Sequence, residues 1–190
     1  MSRGLKVALV LTAIVLFLCC VAGLGATFLG TRLVGRVFIT NPERVQAVGR
    51  QIADYEVPTG YAEMFAMNVM GLKMVAISPS TSADYQIIML MQLPAGIQIS
   101  QEEMERQIEQ ALARQTGLDS ADMTSEEQQT RIKGELVKLT VREGTTRHGE
   151  HLRQVTGLFV GKGGPAVLMV TGDTATWDPT LVDRFIASIR

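Results

Sequence analysis

A chain of 190 residues, 46% of them hydrophobic, carries 19 acidic against 18 basic side chains. Its net charge of −1 offers no field to attract nucleic acid or an anionic bilayer surface, so nucleic-acid binding is not expected. Its two cysteines, Cys19 and Cys20, are neighbours in one apolar stretch, which leaves the remaining chain without a disulfide framework or a cysteine metal site.

After a short basic tail, residues 1–6, that stretch runs uncharged through residues 7–30, VALVLTAIVLFLCCVAGLGATFLG. A helix of this length rises about 36 Å, enough to cross a hydrocarbon core of about 30 Å. The reading adopted is a single transmembrane signal-anchor that stays in the bilayer. A cleaved signal peptide also starts with basic residues, here Arg3 and Lys6, and Gly23 and Gly25 offer small residues for cleavage. Apolar residues continue past them through Ala26, Phe28 and Leu29, however, and Leu18 is too large to precede a lipidated Cys19. Gly23 and Gly25 also suit close packing of membrane helices, which leaves a homo-oligomer open. Arg3 and Lys6 before the stretch and Arg32, Arg36, Arg44 and Arg50 after it are nearly matched. Taken literally they slightly favour a cytoplasmic domain, but a folded domain translocates largely regardless of such charges, and an extracytoplasmic domain is the working assignment.

A juxtamembrane linker, residues 31–40, leads to one domain over residues 41–190, close to the commonest domain size. Asn41-Pro42-Glu43 supplies a cap, a first-turn proline and an acidic residue at the positive helix end, and Val45, Val48 and Ile52 form one face of a helix over residues 42–53. Gly49 costs about 1 kcal/mol in that interior and marks either a close neighbour or a weak helix. Residues 55–61 form a turn. Residues 62–77 read as two strands bent at Gly71, a helix over residues 64–74 being the alternative. Residues 78–84 break the pattern, and residues 85–93 make a third strand whose apolar run Ile87–Met91 suits a central position.

Ser100 and Glu103 form a capping box that opens a helix with the stripe Met104, Ile108, Ala111 and Leu112, closed at Gly117. Residues 119–131 are polar without apolar periodicity and read as a surface loop, with one helical turn at residues 124–127. Val137, Leu139 and Val141 then alternate with Lys138, Thr140 and Arg142 in a strand over residues 135–143. Strands over residues 151–161 and 166–171 follow, joined by the turn at residues 162–165. Asp178 and Pro179 open a final helix with Leu181, Phe185 and Ile189 on one face.

The expected order is α-βββ-α-βββ-α: an α+β domain with an antiparallel sheet of about six strands covered by helices, preceded by one transmembrane helix. This order, the turn at residues 55–61 before the first hairpin and the closing Phe185-Ile186-Ala187-Ser188-Ile189 resemble the PsbP-like fold over about residues 42–190. The resemblance brings no catalytic motif. It implies a binding or assembly protein working beside a membrane.

The residues themselves supply no assembled catalytic, cofactor or metal site. His148 and His151 flank Glu150, but in HxxH spacing within a turn, so zinc would need Asp173 or Asp178 as well. Met64, Met67, Met70 and Met74 suggest thioether ligands for Cu(I), yet they are interleaved with Phe65, Val69, Leu72 and Val75 as in a packed core. Residues 157–163, GLFVGKG, mimic a phosphate loop with one residue too few between the glycines and Gly163 where Ser or Thr is required. Ser80, Ser82, Ser100, Ser120, Ser125 and Ser188 lack a nucleophile motif, and Glu102, Glu103 and Glu105 fit a solvated helix start. The expectation is a single-pass membrane protein whose domain binds another protein of the same membrane without catalysis. The alternative is an extracytoplasmic carrier of a small ligand or of copper or zinc.

Overall fold

Alternating buried and half-exposed residues from Gln86 to Gln92 already show the organising element of the structure, a computed structural model that describes residues 38–81, 86–94, 124–146 and 149–190. Residues 39–190 form one compact unit. The strands are β1 (Phe38–Ile39), β2 (Tyr61–Val69), β3 (Leu72–Pro79), β4 (Gln86–Gln92), β5 (Thr124–Ile132), β6 (Glu135–Thr145), β7 (His151–Gly161) and β8 (Gly164–Asp173). Helix α1 spans Pro42–Ile52 and α2 spans Pro179–Ser188. The strands make one sheet in the order β1-β2-β3-β4-β8-β7-β6-β5, with β2 to β8 joined by antiparallel pairs. Two tight hairpins place non-glycine and glycine together at positive φ, Met70 and Gly71 between β2 and β3, Lys133 and Gly134 between β5 and β6, as the twist of two-residue turns requires.

Eight strands replace the six expected, and among the described residues there are two helices, so the α+β arrangement α-βββ-α-βββ-α is corrected to a predominantly antiparallel β architecture. The physical reason is β5. Its sequence TSEEQQTRI buries only Ile132, because a strand at the sheet edge with exposed side chains needs no apolar alternation, and polar residues there were read as loop. The two-residue β1 is too short to leave a pattern. The expected transmembrane stretch, residues 7–30, and the expected helix over residues 100–117 lie outside the described residues. No helix among the described residues is long and apolar enough to cross a membrane.

The helices cover one face of the sheet. Asn41 Oδ1 caps α1 by accepting from Arg44 N at 3.2 Å, and Asp178 Oδ1 caps α2 by accepting from Leu181 N at 3.1 Å. Val45, Val48 and Ile52 of α1 and Leu181, Val182, Phe185 and Ile186 of α2 share a core with Val75, Ile77, Ile88, Leu90, Leu139, Val141, Val155, Leu168 and Val170. By strand alternation all these sheet residues point to one side. Tyr55 is buried between the helices, its ring 5.7 Å from that of Phe185. Its hydroxyl donates to Glu63 Oε1 on β2. Burial first and the Glu63 carboxylate second push the Tyr55 phenol far above its usual range, so it stays protonated. The chain end is tied in beside it, with Asp54 N donating to Arg190 O at 3.0 Å and Arg190 N to Asp54 O at 2.7 Å.

The other face is apolar too. Phe65, Met67, Met74, Met89, Met91, Leu158 and Met169 line it half-buried, around the buried Ala76 and Val167. Those two are buried hydrophobic residues outside the helix-side core.

Candidate functional site

At the end of the sheet where β5 begins, the helix-bearing face turns from apolar to polar. Register brings Gln86 of β4, Gly172 of β8, Arg153 of β7, Glu143 of β6 and Thr124 of β5 into one cross-strand row. The next opposed pair outward on that face is Thr145 with His151. A cleft of about 300 Å³ is lined here by Thr124, Glu143, Gly144, Thr145, His151 and Thr174.

Arg153 is the best-held group of the row. Its Nη1 meets Glu143 Oε1 at 2.6 Å, and its guanidinium lies 5.4 Å from the centre of the Trp177 ring. Trp177 is itself packed on the core. The turn that delivers it is fixed by Asp173, whose Oδ1 accepts from Ala175 N at 2.8 Å and whose carbonyl accepts from Thr176 N at 3.2 Å. His151 is anchored through its carbonyl, which accepts from Thr174 N at 3.0 Å, while its Nδ1 pairs with Thr145 Oγ1 at 3.0 Å. Beside these contacts the row contains two buried donors without acceptors, Arg153 Nε and Gln86 Nε2. Gln86 Oε1 is used by Asp178 N at 3.0 Å. The cleft itself is lined by three threonines, His151 and the Glu143 carboxylate that Arg153 holds, with Arg153 and Gln86 packed outside its lining.

A second cleft, of about 200 Å³, lies between the residues 56–59 and α2, lined by Glu56, Val57, Pro58, Thr59, Leu181, Arg184, Phe185 and Ser188. Its polar groups already serve one another: Ser188 Oγ accepts from Glu56 N at 3.1 Å and donates to Phe185 O at 2.7 Å.

The residues weighed in the sequence are dispersed. His148 lies outside the described residues, His151 joins the first cleft, and Glu150 is exposed. Asp173 and Asp178, the carboxylates a zinc site would need, hold a turn and a helix cap. Among the described residues no three His, Cys, Asp or Glu converge as metal ligands. Of the methionine quartet, Met67 and Met74 are opposed across β2 and β3, whereas Met64 is the extra residue where the β2–β3 register shifts and Met70 is 96% exposed in the turn. The thioether row the structure does build runs Met67, Met74, Met91. Residues 157–163 form the end of β7 and its hairpin turn to β8, not a strand-to-helix loop. Ser188 makes the contacts just described, Ser80 and Ser125 are exposed, and Ser82, Ser100, Ser120, Glu102, Glu103 and Glu105 lie outside the described residues.

Arg153, Glu143, Trp177 and Gln86 were missed by sequence reasoning. No spacing links these four; strand register does. No family model matches the chain, and a search of curated proteins found no match.

Proposed function

We propose that the chain is a membrane-tethered, non-catalytic binding or accessory module that recognises another protein of the same membrane through the cleft bordered by the Arg153–Glu143 pair. The observation that carries this reading is the open cleft itself, rimmed by Thr124, Thr145 and Thr174 and bordered by Glu143, whose carboxylate is held by Arg153, with the Arg153 guanidinium packed on the Trp177 ring. The uncharged run of residues 7–30 supports the tether.

Crosslinking in intact membranes, followed by purification and mass spectrometry, tests it. Arg153→Met releases the Glu143 carboxylate that lines the cleft and weakens binding by about tenfold or more, since charge-assisted hydrogen bonds contribute about 1.5–3 kcal/mol. The expected result is loss of partner recovery from an Arg153→Met chain whose melting temperature stays within a few degrees of the parent. Equal recovery of the same partners from both chains contradicts the assignment of the cleft.

A further inference from the structure

The two edges of the sheet are finished differently. One ends in β1, two residues long, and the other in β5, nine residues from Thr124 to Ile132. Sheets blunt a long edge with a bulge, a proline or a cover, because its unpaired N–H and C=O groups invite another strand. β5 has no proline, its register against β6 runs without a shift, and Thr124 to Gln129 and Arg131 are exposed. Among the described residues no strand pairs with its outer side.

The hairpin turn fixes which groups face outward. Lys133 and Gly134, with φ of 54° and 82°, form a two-residue turn of the primed kind, which closes on a hydrogen-bonded pair, here Ile132 and Glu135. Alternation then directs the N–H and C=O of the even-numbered residues of β5 to β6, and those of Ser125, Glu127, Gln129 and Arg131 to the open edge. A regular antiparallel ladder opposes outward residues only to outward residues, so Glu126 never opposes Arg131 of a second copy. Glu127 does so in a single register, the one with Gln129 on the two-fold axis, and there the pair occurs twice. Centred on Glu127 instead, the same strands set two carboxylates face to face. Existing contacts leave both groups competent. Glu127 Oε1 lies 2.7 Å from Lys138 Nζ, and Arg131 uses Nη1 on Gly134 O at 2.9 Å, one donor of a guanidinium that carries several.

We infer that β5 is a homodimerisation edge: it pairs antiparallel with β5 of a second copy of this chain, in the register centred on Gln129, with Glu127 of each copy opposed to Arg131 of the other. About six backbone hydrogen bonds form, from Glu127, Gln129 and Arg131 of both copies. Opposite charges directly across a ladder stabilise it and like charges destabilise it, so the charge pairs select the register while the backbone supplies the contact. The two-fold arrangement occupies each β5 edge once, so association through it stops at a dimer. Lacking an apolar centre, the contact belongs to the weak class, with a Kd on the order of 10–100 μM.

Sedimentation velocity on the full chain in detergent solution, at concentrations spanning that Kd, tests it. The parent should dimerise. Arg131→Glu opposes like charges twice and should raise the Kd by about tenfold or more, and Glu127→Arg should do the same. Mixed one to one, those two variants regain both opposite-charge pairs and should form a heterodimer about as tight as the parent dimer. Gln129→Pro removes an outward N–H at the axis while sparing the bonds to β6, and should abolish dimers with a melting temperature within a few degrees of the parent. A parent that stays monomeric throughout, as it would if β5 took a strand of another protein or none, overturns the inference. So does a dimer indifferent to Arg131→Glu and Gln129→Pro, which would place association elsewhere, as would a mixture no tighter than its components.

Discussion

Phe185→Ala should lower the stability of the domain by about 3–5 kcal/mol, the usual cost of emptying a buried aromatic site, and its melting temperature by on the order of 10 °C. Phe185 is 1% exposed and anchors α2 on the core, with the Tyr55 ring tilted at 53° to its own. Neighbours cannot close the gap easily. Tyr55 is fixed by its bond to Glu63 and by Arg50, whose guanidinium lies 5.2 Å from the ring centre and whose Nη1 donates to Tyr55 O at 2.7 Å. Thermal unfolding measured by circular dichroism checks the figure, and a loss below about 1 kcal/mol would mean that α2 is not part of the cooperative core.

Gly49→Ala should also destabilise, although in an exposed helix the same change gains about 1 kcal/mol. A Cβ at residue 49 overlaps the Tyr55 hydroxyl, which is buried and cannot swing away without breaking its bond to Glu63. Overpacking of this kind costs about 1–3 kcal/mol, so the clash outweighs the helical gain. The cause is separable by a double-mutant cycle: with Tyr55→Phe removing the hydroxyl, the cost of Gly49→Ala should shrink by about 1 kcal/mol or more. An identical cost in both backgrounds would place the strain elsewhere.

Gly49 shows how far the sequence could be read. Its presence inside a periodic helix signalled either weakness or a close neighbour, and only the fold shows the neighbour to be Tyr55, six residues on and folded back against the same helix. Both helices among the described residues were legible because their caps are local: Asn41-Pro42 and Asp178-Pro179 act within one turn. The hairpins β2–β3 and β7–β8 were legible for the same reason. β5 was not, since an edge strand carrying Glu126, Glu127 and Arg131 outward has the composition of a loop. The polar row was illegible in a stronger sense. Glu143 and Arg153 face each other because of how β6 and β7 are registered, and Gln86 joins them through Gly172, distances in sequence that no motif spans. The methionines were misgrouped in the same way, sequence proximity suggesting residues 64–74 where register assembles Met67, Met74 and Met91.

The proposed role requires that oily residues near the start hold this sheet domain at a bilayer while its polar cleft faces a partner there. Extraction of native membranes with alkaline carbonate, followed by detection of the chain through an antibody to residues 179–190, tests that requirement most directly. The full-length polypeptide is expected to stay with the sedimented membranes and to enter solution only with detergent. Its appearance in the carbonate supernatant, or a mature N-terminus near Ala26 on the sedimented protein, contradicts the tether.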